Sequence, residues 1–242
     1  MIHITNTEIG YDHVLFRISE LTLKQGEVYA LIGSNGRGKT TFLRTLCGIE
    51  PPLSGKIEMK GKDVRLMNEH EMSRTLAFVT PRFEGIEHLS VFDFILLGRT
   101  PYLPLSGKPG ADDRALADKV IQLAGLEQLK EKYTSRISDG ERQLAAICRA
   151  LAQETDVILL DEPTAFLDYP NKLKVIKLLK RIAKEQNKCI LLSSHDLELC
   201  LQEDLCIVAL TAENELIRPE VNNKRELIRL CFGIDEQTDQ HE

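Results

Sequence analysis

Gly33-Ser34-Asn35-Gly36-Arg37-Gly38-Lys39-Thr40-Thr41 comes directly after the apolar run Val28-Tyr29-Ala30-Leu31-Ile32. Its spacing, G-x-x-x-x-G-K-[ST] behind a strand-like run, predicts a strand ending at Ile32, a turn of curled backbone and a helix starting near Lys39. The curl lets successive N–H groups point inward, and the helix aims its positive dipole end at the same spot. A polyphosphate fits there. Lys39 can reach β- and γ-phosphate oxygens as a point charge, and the Thr40 hydroxyl is placed to ligate Mg²⁺. The competing reading, a glycine-rich turn that binds nothing, has to treat the strand, the glycines, the lysine and the hydroxyl as coincidence.

A chain of 242 residues that is 43% hydrophobic can bury a full core and is most simply one domain, with room for two lobes. Its N-terminus lacks the basic-then-apolar pattern of a signal peptide, and no run nears the ~18 apolar residues of a membrane span. A cytosolic protein is expected, with any membrane contact made through a partner. The cysteines (Cys47, Cys148, Cys189, Cys200, Cys206, Cys231) stand far apart with no C-x-x-C pair, which predicts reduced, mostly buried thiols. A net charge of −6 and the absence of Trp argue against a general nucleic-acid surface, although a local basic patch fits inside an acidic average.

Ile2, Ile4 and then Ser19-Glu20-Leu21-Thr22-Leu23 alternate as half-buried strands do, so a β-rich start is expected. Pro51-Pro52-Leu53-Ser54-Gly55 ends the helix behind the phosphate loop, Lys56-Ile57-Glu58-Met59 resumes a strand, and Lys60-Gly61-Lys62 reads as a turn. From about residue 83 to 153 the character changes to helices separated by loops, including the Pro/Gly-rich 100–110. Strand-like runs return at 157–160 and 189–192, apolar on both faces as in a parallel sheet covered by helices. Leu173, Ile176, Leu179, Ile182 and Ala183 recur at helical spacing among lysines and read as a core-facing stripe.

A second chemical signal is Val157-Ile158-Leu159-Leu160-Asp161-Glu162-Pro163-Thr164. Two carboxylates at the C-terminal edge of a buried strand are costly unless they serve a cation or activate water. Behind a phosphate loop, Asp161 is assigned to Mg²⁺ and Glu162 to orienting or deprotonating the attacking water. A helix N-cap is the other common use of such acids.

Between the two lies Ile137-Ser138-Asp139-Gly140-Glu141-Arg142-Gln143, followed by a helical run from Leu144. The order of phosphate loop, S-x-G-x-x-Q, apolar strand with Asp-Glu, Phe166-Leu167-Asp168 and His195 resembles the ATP-binding subunit of ABC transporters over about residues 1–210. The resemblance implies an α/β P-loop NTPase with a mostly parallel sheet, an N-terminal antiparallel β region and an inserted helical subdomain. On that reading residues 1–82 and 154–210 form the nucleotide-binding core, 83–153 the helical subdomain and 211–242 a C-terminal segment with few cues, its end at 235–242 frayed and acidic.

The resemblance also implies roles. ATP would be held by Gly33, Ser34, Asn35, Gly36, Arg37, Gly38, Lys39, Thr40 and Thr41, with Tyr11 stacked on adenine unless it is a core tyrosine. Glu162, His195 and Lys39 would be catalytic, His195 as the histidine that hydrogen-bonds the γ-phosphate, and Thr40 and Asp161 would hold Mg²⁺. The signature loop Ser138, Asp139, Gly140 and Glu141 would read the ATP of the other subunit of a head-to-tail homodimer, where by itself an S-x-G motif reads as a plain helix cap. Asp168 resembles the acid that communicates across that dimer, and a helix N-cap competes for it because Tyr169-Pro170 follows.

Leu89-Ser90-Val91-Phe92-Asp93-Phe94-Ile95-Leu96-Leu97-Gly98-Arg99-Thr100-Pro101-Tyr102 is similar to the matching region of bacterial importers for iron–siderophore complexes, haem and cobalamin. In such systems a permease helix docks in a groove of this lobe, the substrate-binding protein is an indirect partner, and the ATPase is peripheral on the cytoplasmic side of the inner membrane. The alternative is that these residues fill the lobe's own core. Rival functions are a soluble ABC ATPase with a non-transport role, and a regulatory module that binds nucleotide but barely turns over. Two departures from the family pattern stand out. Asp139 and Glu141 replace the more usual Gly and Gln, and are expected to point away from the phosphate while Ser138 and Gly140 make the contacts. Where the family has a glutamine after the strand around Ala77-Phe78-Val79, this chain has Thr80-Pro81-Arg82.

Overall fold

The computed structural model describes residues 1–104, 107–220 and 223–234. The segment 235–242, expected to be frayed, lies outside the described residues, as does part of the 100–110 loop.

Alternating apolar residues build the first sheet. β1 (Ile2–Gly10) pairs antiparallel with β2 (Val14–Leu23), and β4 (Ser54–Met59) and β5 (Lys62–Asp63) extend it in the order β2-β1-β4-β5. β4 starts two residues ahead of the Lys56 expected from turn residues, because Ser54 pairs with Glu8 of β1 across the sheet. The second sheet contains β3 (Val28–Ile32), β6 (Leu76–Val79), β7 (Val157–Leu160), β8 (Cys189–Ser194), β9 (Cys206–Leu210) and β10 (Leu216–Ile217). Its order is β10-β9-β3-β8-β7-β6, all parallel except β10 at the edge.

Every residue of β3, β7 and β8 is buried, the mark of a parallel sheet covered on both faces. Period-two alternation then assigns each side chain to one of two cores. Tyr29, Leu31, Leu159 and Leu191 pack toward the first sheet and toward α1 (Lys39–Leu46) through Phe42, Leu43 and Leu46. Ala30, Ile32, Ile158, Leu160, Ile190 and Leu192 face the opposite side. There they meet α6 (Tyr169–Glu185), whose Ile176, Leu179, Ile182 and Ala183 are buried while Leu173 is only partly so.

The remaining helices are α2 (Glu69–Thr75), α3 (Val91–Leu96), α4 (Ala111–Ala124), α5 (Asp139–Ala152), α7 (Leu197–Gln202) and α8 (Lys224–Phe232). In the segment likened to importer lobes, Val91, Phe94, Ile95 and Leu96 are buried against α4 and α5, so these residues fill core and leave Leu97 exposed. Arg99, 9% exposed, is tied to Asp113, to Glu154 and to the Ala152 carbonyl. α5 begins at Asp139, five residues before the helical run that hydrophobic periodicity marks. Its start is set by a capping box, since Ser138 accepts from the Glu141 N–H and Glu141 reaches back to the Ser138 N–H. All six cysteines are free. Burial pushes the thiols of Cys148, Cys189 and Cys200 up to about 12, which leaves them protonated and inert. Among the described residues, no helix is long and apolar enough to cross a membrane.

Candidate active site

β3, β8 and β7 are neighbours, and the loops leaving their carboxyl ends carry the phosphate loop, His195 and the Asp161-Glu162 pair respectively. That end of a parallel sheet is where open α/β folds bind ligands.

Gly38 caps α1 in the left-handed region at φ 100°, a conformation that excludes most side chains, and an added Cβ would meet Phe16 and Leu15 at 3.1 Å. The loop therefore folds tightly over the helix end. Lys39 is buried and turns into it, donating to the Gly33 carbonyl at 2.8 Å, the Ser34 carbonyl at 3.2 Å and Asn35 Oδ1 at 3.4 Å. Burial lowers its pKa, and the nearby charges of Glu162 and Asp161 oppose that shift. The role implied for Arg37 would fall to its backbone. Its guanidinium leaves the loop and donates to the Ala212 carbonyl at 3.0 Å and Asn214 Oδ1 at 2.7 Å, because those acceptors at the end of β9 lie beside the turn. Its backbone alone stays with the phosphate loop.

Asp161 is 1% exposed, and each of its carboxylate oxygens has a partner. Thr40 Oγ1 donates to Oδ2 at 2.7 Å and Ser193 Oγ to Oδ1 at 2.6 Å. Ser193 also accepts from the Glu162 N–H at 2.8 Å, and Glu162 stands at φ 46°, a costly conformation for a residue with a side chain. One serine thus aligns both acids. The sequence marks it only as a hydroxyl in an apolar strand. Glu162 Oε2 and His195 Nδ1 are 2.8 Å apart, and an ionised carboxylate makes Nδ1 the donor of that bond.

A cleft of about 530 Å³ opens over these groups, lined by Tyr11, Leu15, Asn35, Gly36, Gly38, Lys39, Thr40, Thr41, Asp161 and Glu162. Tyr11 is 49% exposed at its rim and belongs to no core. A hydroxyl and a carboxylate side by side at the mouth of the phosphate loop are hard oxygen donors suited to Mg²⁺, with phosphate oxygens and water completing its shell. A polyphosphate in the cleft would meet the Lys39 ammonium, the loop N–H groups and the positive end of α1.

Ser138, Asp139, Gly140 and Glu141 do not line this cleft. They form the cap and first turn of α5, with Ser138 and Asp139 exposed and Gly140 so close to Leu167 that an added Cβ would stand 2.9 Å from Leu167 Cδ2. Asp139 turns aside and pairs with Arg142. The expectation that Glu141 does the same is overturned. Its Oε2 accepts from the Ser138 hydroxyl and from the Ser138 N–H, each at 2.8 Å, because a glutamate three residues into a helix satisfies the donors at its start. Asp168 caps α6 by accepting from the Asn171 N–H at 3.0 Å.

A family model described as ABC transporter matches residues 16–165, from β2 through the phosphate loop and α5 to the turn beyond Glu162. The chain belongs to the ABC transporter family. It is similar to the achromobactin transport ATP-binding protein CbrD of Dickeya dadantii, 33% identical over 241 residues that cover 97% of this chain and 89% of that protein. The iron(3+)-hydroxamate import ATP-binding protein FhuC of Bacillus subtilis is 33% identical over 190 residues, 78% of this chain and 71% of the relative. Among solved structures, a metal-chelate type ABC transporter in an inward-facing conformation superposes with a TM-score of 0.82 at 29% identity, over 97% of this chain and 89% of that one. The dimeric cassette MJ0796, in a post-hydrolysis state with ADP and Pi, gives 0.78 at 25% identity over 92% and 99%. This ABC protein is an ATPase with the P-loop fold of its family.

The ABC ATPase keeps an unusual turn after β6. Thr80, Pro81 and Arg82 follow Val79, and none of them lines the cleft. Pro81 has no polar side-chain atom and no N–H, and a guanidinium cannot ligate a metal. Installing Gln, whose amide oxygen can ligate a metal, at position 81 or 82 is expected to lower the Mg²⁺ concentration that half-saturates turnover. Metal titrations of both variants that match the native curve would show that the turn has no part in the site.

Asp139→Gly in the ABC ATPase is expected to move turnover by no more than about fivefold, the size of an exposed ion pair, because its carboxylate faces Arg142 and not the Ser138 hydroxyl. Phosphate release under saturating ATP measures it. A larger rise would mean that the native acid suppresses the γ-phosphate contact.

Proposed function

We propose that this chain is the nucleotide-binding subunit of an ABC importer, in which two copies close head to tail over two Mg-ATP molecules and drive uptake of an iron–siderophore, haem or cobalamin-type substrate. The observation that carries this reading is the position of Ser138: its hydroxyl and the start of α5 are exposed, yet lie outside the chain's own cleft. A helix start suits a phosphate once the Glu141 carboxylate, which now takes the Ser138 hydroxyl and N–H, gives way to it, and a second copy can supply one.

Within one site, Lys39 and the loop N–H groups bind the β- and γ-phosphates, Tyr11 stacks on the base, and Glu162 takes a proton from the attacking water. His195 orients Glu162 and reaches the γ-phosphate. Mg²⁺, held by Thr40 and Asp161, would neutralise charge on the phosphate oxygens. Asp168, at the head of α6, would face the dimer partner. Residues 83–153 would act as a lobe that moves relative to the core formed by 1–82 and 154–210.

A permease partner is supported by an apolar cleft of about 700 Å³ lined by Ile49, Val64, Met67, Met72, Leu76 and Phe78 among others. An amphipathic helix fits such a groove. It lies beside residues 83–153, not within them as the resemblance implied, and only Gln153 contributes from that region. Docked there, the subunit would be peripheral on the cytoplasmic side of the membrane and meet the substrate-binding protein only through the permease.

The test is ATPase activity and ligand uptake with and without the permease that co-purifies from membranes. The reading expects stimulation by the permease and loss of uptake when Glu162 is neutralised. ATPase without any co-purifying membrane protein would favour a non-transport role, and nucleotide binding without turnover a regulatory one.

A further inference from the structure

His195 is exposed, its side chain 54% open, and among the described residues the partner of Nδ1 is the Glu162 carboxylate. It sits between Ser194, the last residue of β8, and Asp196, which caps the short helix α7. A histidine on so short a turn needs something outside the turn to fix its direction. Asp196 supplies the attachment. Its Oδ1 accepts from the Leu199 N–H at 3.2 Å to cap α7, and its Oδ2 receives Lys172 Nζ at 2.9 Å. Lys172 lies in the first turn of α6, just beyond the Asp168 cap. The two side chains are 20% and 24% exposed, sheltered enough to escape most of the screening that weakens open surface pairs. Tyr169 OH donates to Gln202 Oε1 at 2.7 Å and ties the same two helices a second time.

We propose that Lys172 and Asp196 are a positioning pair that locks the His195 turn to the head of α6 and so transmits movement of the Asp168 end of that helix to the histidine and to Glu162. The proposal rests on the roles given above to Glu162 and His195. It adds a path by which the helix that follows Asp168 controls whether His195 and Glu162 are aligned. The pair lies outside the cleft, so its loss should change the rate of hydrolysis and spare ATP binding.

Lys172→Met removes the charge at similar length, Lys172→Arg keeps it, and Asp196→Asn loses the ion pair while retaining a good cap for α7. Expected are a turnover number reduced about fivefold to tenfold in Lys172→Met and Asp196→Asn, a KM for ATP within twofold of native, and recovery in Lys172→Arg. In a His195→Ala background, read by single-turnover hydrolysis, Lys172→Met should cost nothing further, because the two residues act through one step. Thermal melting of each variant identifies any that is merely unfolded, and for such a variant the Asp196→Asn and Lys172→Arg results decide. A kcat within twofold of native in both Lys172→Met and Asp196→Asn overturns the proposal, as does a full additional loss in the His195→Ala background. Full turnover in His195→Ala itself is a different result, and overturns the reading of the site on which the pair's role depends.

Discussion

Glu162→Gln is expected to retain ATP binding and to lower the turnover number by a factor of about a hundred or more, the usual worth of a general base. The substitution preserves shape and the backbone bond to Ser193 Oγ, and a glutamine can still meet His195. What it removes is the proton acceptor. With binding intact and hydrolysis blocked, ATP-trapped dimers should accumulate and be visible by size-exclusion chromatography. Steady-state phosphate release near the native rate, with ATP affinity unchanged, would rule out Glu162 as the catalytic carboxylate. Ser193→Ala offers a control on geometry, since that hydroxyl aligns Asp161 as well as Glu162.

Lys39→Ala is expected to act at the binding step. The ammonium turns into the phosphate loop, held by the Gly33 and Ser34 carbonyls and Asn35 Oδ1. These are neutral acceptors, and a phosphate oxygen offers a charge-assisted bond in their place. Losing that bond should weaken ATP binding by roughly 1.5–3 kcal/mol, about tenfold to a hundredfold in Kd. A titration with a fluorescent ATP analogue measures it. An unchanged Kd would remove the phosphate-loop assignment and with it the interpretation of the cleft.

The parts of the fold that were legible share one property: their signal lies within a few residues of chain. Val28–Ile32 is apolar throughout and is followed by glycines that only a tight turn requires, so the strand, loop and start of α1 could be read in order. The buried stripe of α6 was legible from period, and the Asp168 cap from the proline behind it. The start of α5 carries a local signal of a different kind. Hydrophobic periodicity points to Leu144, while the S-x-x-E pattern of Ser138 and Glu141 starts the helix at Asp139 and folds the glutamate onto the serine.

By itself, the sequence determined that a phosphate loop, a pair of acids and a histidine all occur behind strand-like runs, because strand, turn and helix propensities act between near neighbours. Only the tertiary structure decided how those groups meet. Thr40 and Asp161 stand 121 residues apart, Asp161 and Ser193 are 32 apart, Arg37 and Asn214 are 177 apart, and Lys172 and Asp196 are 24 apart. Any serine, threonine or lysine in the chain could have satisfied those acceptors as well. The choice among them follows from the order β9-β3-β8-β7, which sets the ends of four strands side by side, and from helices whose apolar faces fix their angle to the sheet. Hydrogen bonds and ion pairs between distant residues leave no periodic trace, since each depends on the position of a whole element and not on the residues beside it.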